Sequence, residues 1–280
     1  MNIYRGFFAA LILMCFLLPK NALCADKPLW ELGAGVALLR MPDYRGSDES
    51  RLYLLPYPYI IYRGDIFKVD REHISGRIFK TDRLLLDISL FGSVPVDSSK
   101  NSARSGMPDL DPTFEIGPSL NIKLLENKQD RYKLNLVLPM RAVFSTDFSS
   151  VRHEGWVVNP KLKFEKDDII PDTGLNLGIS AGPMFANSNY HSYYYTVEPV
   201  YATASRPSYS AGGGYSGSSI TVGLNKGFKQ LIFNAFVSMD FLQGSVYEDS
   251  PLVKTKNSVM CGFTVSWIFL KSEKLATTER

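Results

Sequence analysis

The chain is predicted to be all-β: a transmembrane, antiparallel, up-and-down β-barrel of about twelve strands that follows a cleaved signal peptide. Three observations predict this. The N-terminus has the layout of an export leader, the rest of the chain alternates apolar and polar residues over long segments, and the connections between those segments alternate short and long.

Arg5 precedes the apolar run Gly6 to Leu18, and Pro19, Lys20 and Asn21 then lead to small residues around Ala22, Cys24 and Ala25. A charged start, an apolar centre and small residues at the exit are the three parts of a secretory signal. The run is shorter than the ~20 residues a spanning helix needs, so residues 1–25 are expected to be removed. Cys15 follows Met14 and Cys24 follows Leu23, so neither has the small preceding residue of a lipid-attachment site. Cys261 is then the lone mature cysteine, which excludes a disulfide framework.

Period two dominates the mature chain. From Tyr132 to Phe144 the even positions are apolar (Tyr132, Leu134, Leu136, Leu138, Met140, Ala142, Phe144), while the odd set includes Lys133, Asn135 and Arg141. A strand separates these sets onto two faces, whereas a helix would mix them. The pattern returns from Phe114 to Leu124, Leu175 to Ala181, Leu231 to Phe241 and Val259 to Phe269. At about 3.3 Å per residue and a tilt of about 40°, Tyr132 to Phe144 rises roughly 30 Å, enough for an apolar band of about 25 Å with an aromatic at each edge. Strands of soluble proteins average about 5 or 6 residues. No segment after the leader approaches the apolar length of a membrane helix.

Strands are placed near 29–40, 51–62, 65–70, 74–80, 83–93, 113–125, 131–145, 156–166, 174–185, 217–226, 230–242 and 257–270. Short turns at 63–65, 81–82, 126–130, 167–173 and around Gly227 fall on one side. Longer loops at 41–50, 94–112, 146–155, 186–216 and 243–256 fall on the other, with one short exception near Arg71. Bacterial barrels keep short turns in the periplasm and long loops outside. Pro56, Pro58, Pro118, Pro139, Pro160 and Pro183 lie inside proposed strands, where each removes a ladder donor and implies a bulge or an edge; counts from ten to fourteen are compatible with the pattern. The expected organisation is a signal peptide at 1–25, an outer-membrane barrel at 26–270 and a charged tail at 271–280.

Composition argues against an enzyme. The chain has 17 Phe and 15 Tyr but only 3 His, and a net charge of +3 gives no basic footprint for nucleic acid. His153 lies near Asp147, Ser149 and Ser150, and His191 precedes Ser192, but no tight spacing makes a nucleophilic triad of either set. His73, His153 and His191 are too dispersed for a metal, and Asp109 and Asp111 between Pro108 and Pro112 read as a turn. Arg63-Gly64-Asp65 is likewise a turn, and Gly212-Gly213-Gly214 lacks the setting of a phosphate loop. No catalytic, cofactor-binding or metal-binding residue is assigned. The polar faces carry Asp87, Glu115, Lys123, Lys133, Arg141, Lys161, Lys163, Glu165 and Asp240, which are expected to line the lumen as mutually neutralising pairs or as a selectivity lining. The segment 186–216, with Tyr190, Tyr193, Tyr194 and Tyr195, is too long for an idle loop and is expected to fold inward as a plug.

Several separated motifs together resemble the MipA/OmpV family of outer-membrane proteins: Met41-Pro42-Asp43-Tyr44-Arg45-Gly46-Ser47-Asp48, Leu55-Pro56-Tyr57, Tyr62-Arg63-Gly64-Asp65, Gly106 to Pro112, Gly117-Pro118-Ser119-Leu120 and Ser250-Pro251-Leu252-Val253. The resemblance implies a monomeric Gram-negative outer-membrane barrel. For the family's namesake it also implies a scaffold that joins a murein lytic transglycosylase to a bifunctional murein synthase in cell-wall growth. The alternative is a pore for small solutes or a surface adhesin. The chain departs from the family's ending on an aromatic, because Leu270 to Arg280 follow Phe269.

Overall fold

The computed structural model describes residues 28–64, 67–69, 74–76 and 79–276. The expected leader, the turn near Arg71 and the last four residues of the tail lie outside them. Strands β1 (Trp30–Pro42), β2 (Ser50–Arg63), β3 (Phe67–Val69), β4 (Ile74–Gly76), β5 (Phe79–Lys80), β6 (Leu84–Ser93), β7 (Thr113–Asn127) and β8 (Tyr132–Thr146) make the first part of one antiparallel sheet. It continues through β9 (Val151–Val158), β10 (Lys161–Lys166), β11 (Leu175–Ala186), β12 (Gly214–Phe228), β13 (Leu231–Phe241) and β14 (Asn257–Lys271).

The sheet order runs from β4 back to β1, across to β14, and down through β13, β12, β11, β10, β8, β7 and β6 to β5. Its two ends, β4 and β5, belong to one short stretch of chain, and β4 lies beside β6, so the sheet returns on itself. Segments β9 and β10 are halves of one strand, since both pair with β8 and with β11. The break between them is chemical: Pro160 has no N–H to give, and Pro183 faces it at a register shift in β11, where the Asn159 side chain donates to the Pro183 carbonyl at 2.8 Å. The fourteen segments thus take about twelve positions around a barrel.

Parity along each strand sets the faces. On β8 the odd residues Val137, Pro139, Arg141, Val143 and Ser145 are buried, and of the even ones only the small Ala142 is, whereas Met140 is 46% exposed. Exposed Leu54, Ile116, Leu162, Val222, Met239 and Val259 occupy the same outer face on other strands. In lipid that face is solvated by acyl chains, and the ladder hydrogen bonds satisfy the backbone. Aromatic rings edge it. Phe114, Phe144, His153 and Trp156 form a chain of ring contacts at the loop end, while Tyr132 with Phe164 and Trp267 with Phe269 sit toward the turns. The loop expected over 146–155 is shorter than the sequence suggests, because β9 begins at Val151 and takes in His153.

The inner face is polar and cross-linked. Asn225 donates to Asn234, which donates to Thr264 at 2.8 Å. Thr221 and Ser238 share a hydrogen bond of 2.8 Å, and Tyr57 and Ser266 one of 2.6 Å. Each bond ties adjacent or nearby strands and supplies partners that water would otherwise provide. Beyond β14 the pairing with the start of β1 continues: the Leu29 N–H donates to the Lys274 carbonyl at 2.8 Å and the Ser272 N–H to the Trp30 carbonyl at 3.0 Å.

Placing a charge on the two faces separates them by energy. Leu136→Arg should lower unfolding stability in lipid vesicles by about 2–4 kcal/mol, the cost of a basic side chain on the lipid face near the midplane. Asn121→Arg, on the inner face, should cost less than half as much; equal losses in urea titrations would reverse the assignment of faces.

Candidate functional site

The loops at the long-loop end pack into a second core. Asn187 starts the helix α1 (Ser188–Tyr195) by accepting from the Tyr190 N–H at 3.3 Å, and the same Oδ1 accepts from the Trp156 N–H at 3.0 Å. This needs Gly155: its φ is +128°, and a Cβ there would collide with Asn187. The helix is thereby aimed into the barrel mouth. Tyr190 packs against Val143 and Val157, inner-face residues of β8 and β9 that are fully buried.

Around α1 the other loops converge. Tyr44, Val96, Leu110, Tyr195, Val197, Leu242, Tyr247 and Leu252 form one buried apolar cluster, with Tyr193, Tyr194 and Met107 packed on it. The rings of Tyr195 and Tyr247 stack with centroids 3.7 Å apart. Polar tips find backbone partners, as buried hydroxyls must. Tyr195 donates to the Arg45 carbonyl at 2.9 Å, Tyr44 to the Leu252 carbonyl at 2.9 Å and Tyr247 to the Ser216 carbonyl at 3.0 Å. Gly46, at φ +92°, turns its carbonyl to accept from both Lys254 and Thr255.

Four arginines fasten this cap. Arg45 pairs with Asp240 of β13 at 3.1 Å and donates to the Ser216 carbonyl at 2.9 Å, linking the first loop to the wall. Arg104 donates to the carbonyls of Tyr194 and Pro108, and Arg206 reaches the carbonyls of Ala103, Ser105 and Tyr201. Arg152 of β9 pairs with Asp111 at 2.6 Å.

His191 and Ser216 form a pair that the sequence does not reveal, since His191 stands beside Ser192 in the chain. Nδ1 lies 2.6 Å from the Gly212 carbonyl, which can only accept, so Nδ1 carries the proton and Nε2 accepts from the Ser216 hydroxyl at 2.6 Å. That is the tautomer a nucleophile's base would need, but both residues are fully buried under Tyr247, and the pair braces the cap. Burial pushes the His191 pKa down, with Arg45 adding to the shift and the Gly212 carbonyl opposing it. The Asp147, Ser149 and Ser150 set is a self-contained turn: both serines donate to Asp147 through hydroxyl and N–H, which holds its carboxyl well below the usual range.

The residues expected to line the lumen divide into two levels. Glu115 and Arg141 form a buried ion pair of 2.7 Å, with Asp87 buried on neighbouring β6, and Asp240 meets the cap through Arg45. Toward the turns, Glu165 lies 3.1 Å from Lys133 and 3.5 Å from Lys163, and Lys123 pairs with Glu126 at 2.7 Å. Lys161 sits opposite inner-face Val137. No group of metal-ligating side chains is present among the described residues.

An antiparallel sheet whose two ends meet in one short stretch of chain, with an apolar exposed face, aromatic edges and a polar interior under packed loops, defines an outer-membrane β-barrel. The chain belongs to the family of MltA-interacting protein MipA, whose profile matches residues 33–269. Among its relatives, outer membrane protein Omp26La of Vibrio anguillarum is 25% identical over 233 residues, covering 80% of this chain and 81% of its own. Outer membrane protein OmpV of Vibrio cholerae serotype O1 is 24% identical over 214 residues, covering 74% of this chain and 76% of its own. Among solved structures, an outer-membrane channel of Pseudomonas putida F1 is similar with a TM-score of 0.44 at 11% identity, over 89% of this chain and all of that one.

The buried ion pair and the buried histidine can each be tested by substitution. Arg141→Ala leaves the Glu115 carboxylate buried without its cation and should cost about 3–5 kcal/mol, whereas the double change to Met and Gln should cost much less; chemical denaturation of the three proteins measures the difference. For His191 the folded pKa is depressed, so its contribution to cap stability is complete above the ordinary histidine value near 6.5 and is lost as pH falls through the depressed value. The near-ultraviolet circular dichroism of the stacked tyrosines should therefore fade below about pH 6.5, and His191→Gln should remove that pH dependence.

Proposed function

We propose that this chain is a non-enzymatic, plugged outer-membrane scaffold that holds a murein lytic transglycosylase, and through it a bifunctional murein synthase, at the periplasmic side of the outer membrane. The observation that carries this reading is the cap: a barrel whose mouth holds a packed apolar core of its own is built to stay shut. Tyr190, Tyr193, Tyr194 and Tyr195 act as the plug, and the paired charges of the inner face fill rather than select. The family's description as MltA-interacting supplies the class of partner.

Docking then belongs to the short-turn rim. Its most elaborate turn comes after β10, where Asp168 accepts from the Gly174 N–H at 2.7 Å and pairs with Arg131 at 3.3 Å, leaving Ile170 49% exposed. An apolar side chain on a rigid, charged turn suits recognition by a soluble periplasmic enzyme.

Periplasmic crosslinking and pull-down from intact cells tests the reading. The intact protein should recover a lytic transglycosylase, Ile170→Asp should reduce recovery at least tenfold, and a chain ending after Lys271 should retain it. In planar bilayers the protein should show little steady conductance, and removal of 186–216 should raise it. Recovery of no murein enzyme by a correctly inserted barrel, together with large ion-selective channels, would instead favour a pore lined by the inner-face charges.

A further inference from the structure

We infer that the outer wall of the barrel, where the first and last loops meet above β1 and β14, carries a binding site for one membrane lipid whose head joins a phosphate to a primary amine. A cavity of about 290 Å³ lies there. Its strand side is made by Arg40 of β1 with Val259 and Cys261 of β14, and its loop side includes Asp48 from the first loop and Thr255 from the last. Arg40 and Asp48 are the charged residues of its lining.

Arg40 stands on the lipid-facing side of its strand. Ala37 is buried on the inner face, whereas Val36, which shares the parity of Arg40, is 48% exposed. The register sets Arg40 between Cys261 and Leu52, both of the outer face. By register the other charged residues of that face among the described strands are Lys166, opposite Tyr132, and Lys226, opposite Phe233, and both lie at the short-turn end. A basic side chain facing hydrocarbon is costly, and the cost falls toward the interface, where lipid phosphates lie. A guanidinium offers those oxygens paired N–H donors in a plane.

The neighbouring charges of the two loops are already paired: Asp43 with Arg51 at 2.7 Å, Arg45 with Asp240 at 3.1 Å and Glu248 with Lys256 at 3.4 Å. Arg40 and Asp48 form no ion pair with each other or with any other described residue. One cation and one anion on a shared lining complement a head with one charge of each sign. Arg40 takes the phosphate, while Asp48 repels a head that is only anionic and accepts hydrogen bonds from an ammonium, which a quaternary amine cannot give. The loop side is held in place before any ligand arrives. The Gly46 N–H donates to the Ser258 hydroxyl at 3.2 Å, and its carbonyl accepts from Lys254 and Thr255 at 2.8 and 3.0 Å. The Thr255 hydroxyl donates to the Asn257 carbonyl at 2.9 Å, and the Asp43 N–H closes the first loop on the Glu49 carbonyl at 3.1 Å. Farther down the same face, Val36 and Leu54, the latter 69% exposed, give acyl chains an apolar wall. A polar, two-signed recess above an apolar wall has the layout of a lipid, head above tails.

The test uses the intact protein in phosphatidylcholine nanodiscs doped with a second lipid, and Cys261 reports occupancy without any substitution. Phosphatidylethanolamine should slow the reaction of Cys261 with N-ethylmaleimide by about tenfold, the size expected of one charge-assisted pair, and phosphatidylglycerol should not. Arg40→Gln should abolish the protection and Arg40→Lys should restore part of it, whereas Asp48→Asn should let phosphatidylglycerol protect as well as phosphatidylethanolamine. Equal reaction rates in all three lipids would overturn the site. Equal protection by both added lipids in the unaltered protein would overturn the choice of an amine-bearing head. Protection by dissolved phosphoethanolamine in phosphatidylcholine alone, as strong as that by the lipid, would overturn the lipid in favour of a free solute.

Discussion

Everything in this barrel depends on the backbone's need for hydrogen bonds where no water can supply them. A strand crossing hydrocarbon has to give its N–H and C=O groups to neighbours, and a sheet that returns on itself is the arrangement in which strands alone can do so. The side chains are then freed from the usual task of building an inward apolar core. Leu, Ile, Val and Met go outward, and the interior carries Asn, Ser, Thr, Glu and Arg joined across strands, an inversion of the soluble sandwich. Departures from the ladder therefore mark places where something else has been arranged. At Asn159-Pro160 a side-chain amide stands in for the missing backbone bond.

A larger apolar core is built in the barrel's mouth, while the inner face below it holds a small cluster of Tyr59, Ile61 and Ile232 with Ile268. Tyr44, Tyr195, Tyr247, Leu242 and Leu252 bury against one another much as residues do in a small soluble domain, and arginines satisfy the loop carbonyls that such packing strands. The design resolves a conflict between length and order. Loops of this length would ordinarily lose too much conformational entropy to stay fixed, but here each contributes a few large rings to a shared cluster, and tyrosine adds a hydroxyl to lock its direction.

Strands and faces are legible in the sequence because period two is a local signal. Leu136 beside Asn135 reports two faces without reference to any distant residue, and the loop lengths report orientation in the same way. The cap is only half legible. The tyrosine-rich stretch announces that 186–216 is not idle, but its partners Tyr44, Leu110, Tyr247 and Leu252 lie in three other loops and carry no periodicity. The motifs Met41 to Asp48, Gly106 to Pro112 and Ser250 to Val253 are, in the structure, the walls of that cluster. Proximity in sequence misleads for His191, whose partner is Ser216 across the cap rather than the adjacent Ser192. For His153 a boundary shift of a few residues exchanges a loop for a membrane-facing strand.

The seam between β1 and β14 joins the first and last described strands, and it is sewn past the strands themselves by Leu29 with Lys274 and Trp30 with Ser272. No neighbouring pair of described strands is further apart in sequence. Closing it requires a loop of nearly the whole polypeptide, the slowest and entropically most costly encounter available to this topology. Hairpins such as β7 with β8 or β12 with β13 form from adjacent residues and have no such delay. Assembly should then proceed as a growing open sheet whose last act is to match its first and last strands, with the stretch after Phe269 serving as the final teeth of the zip.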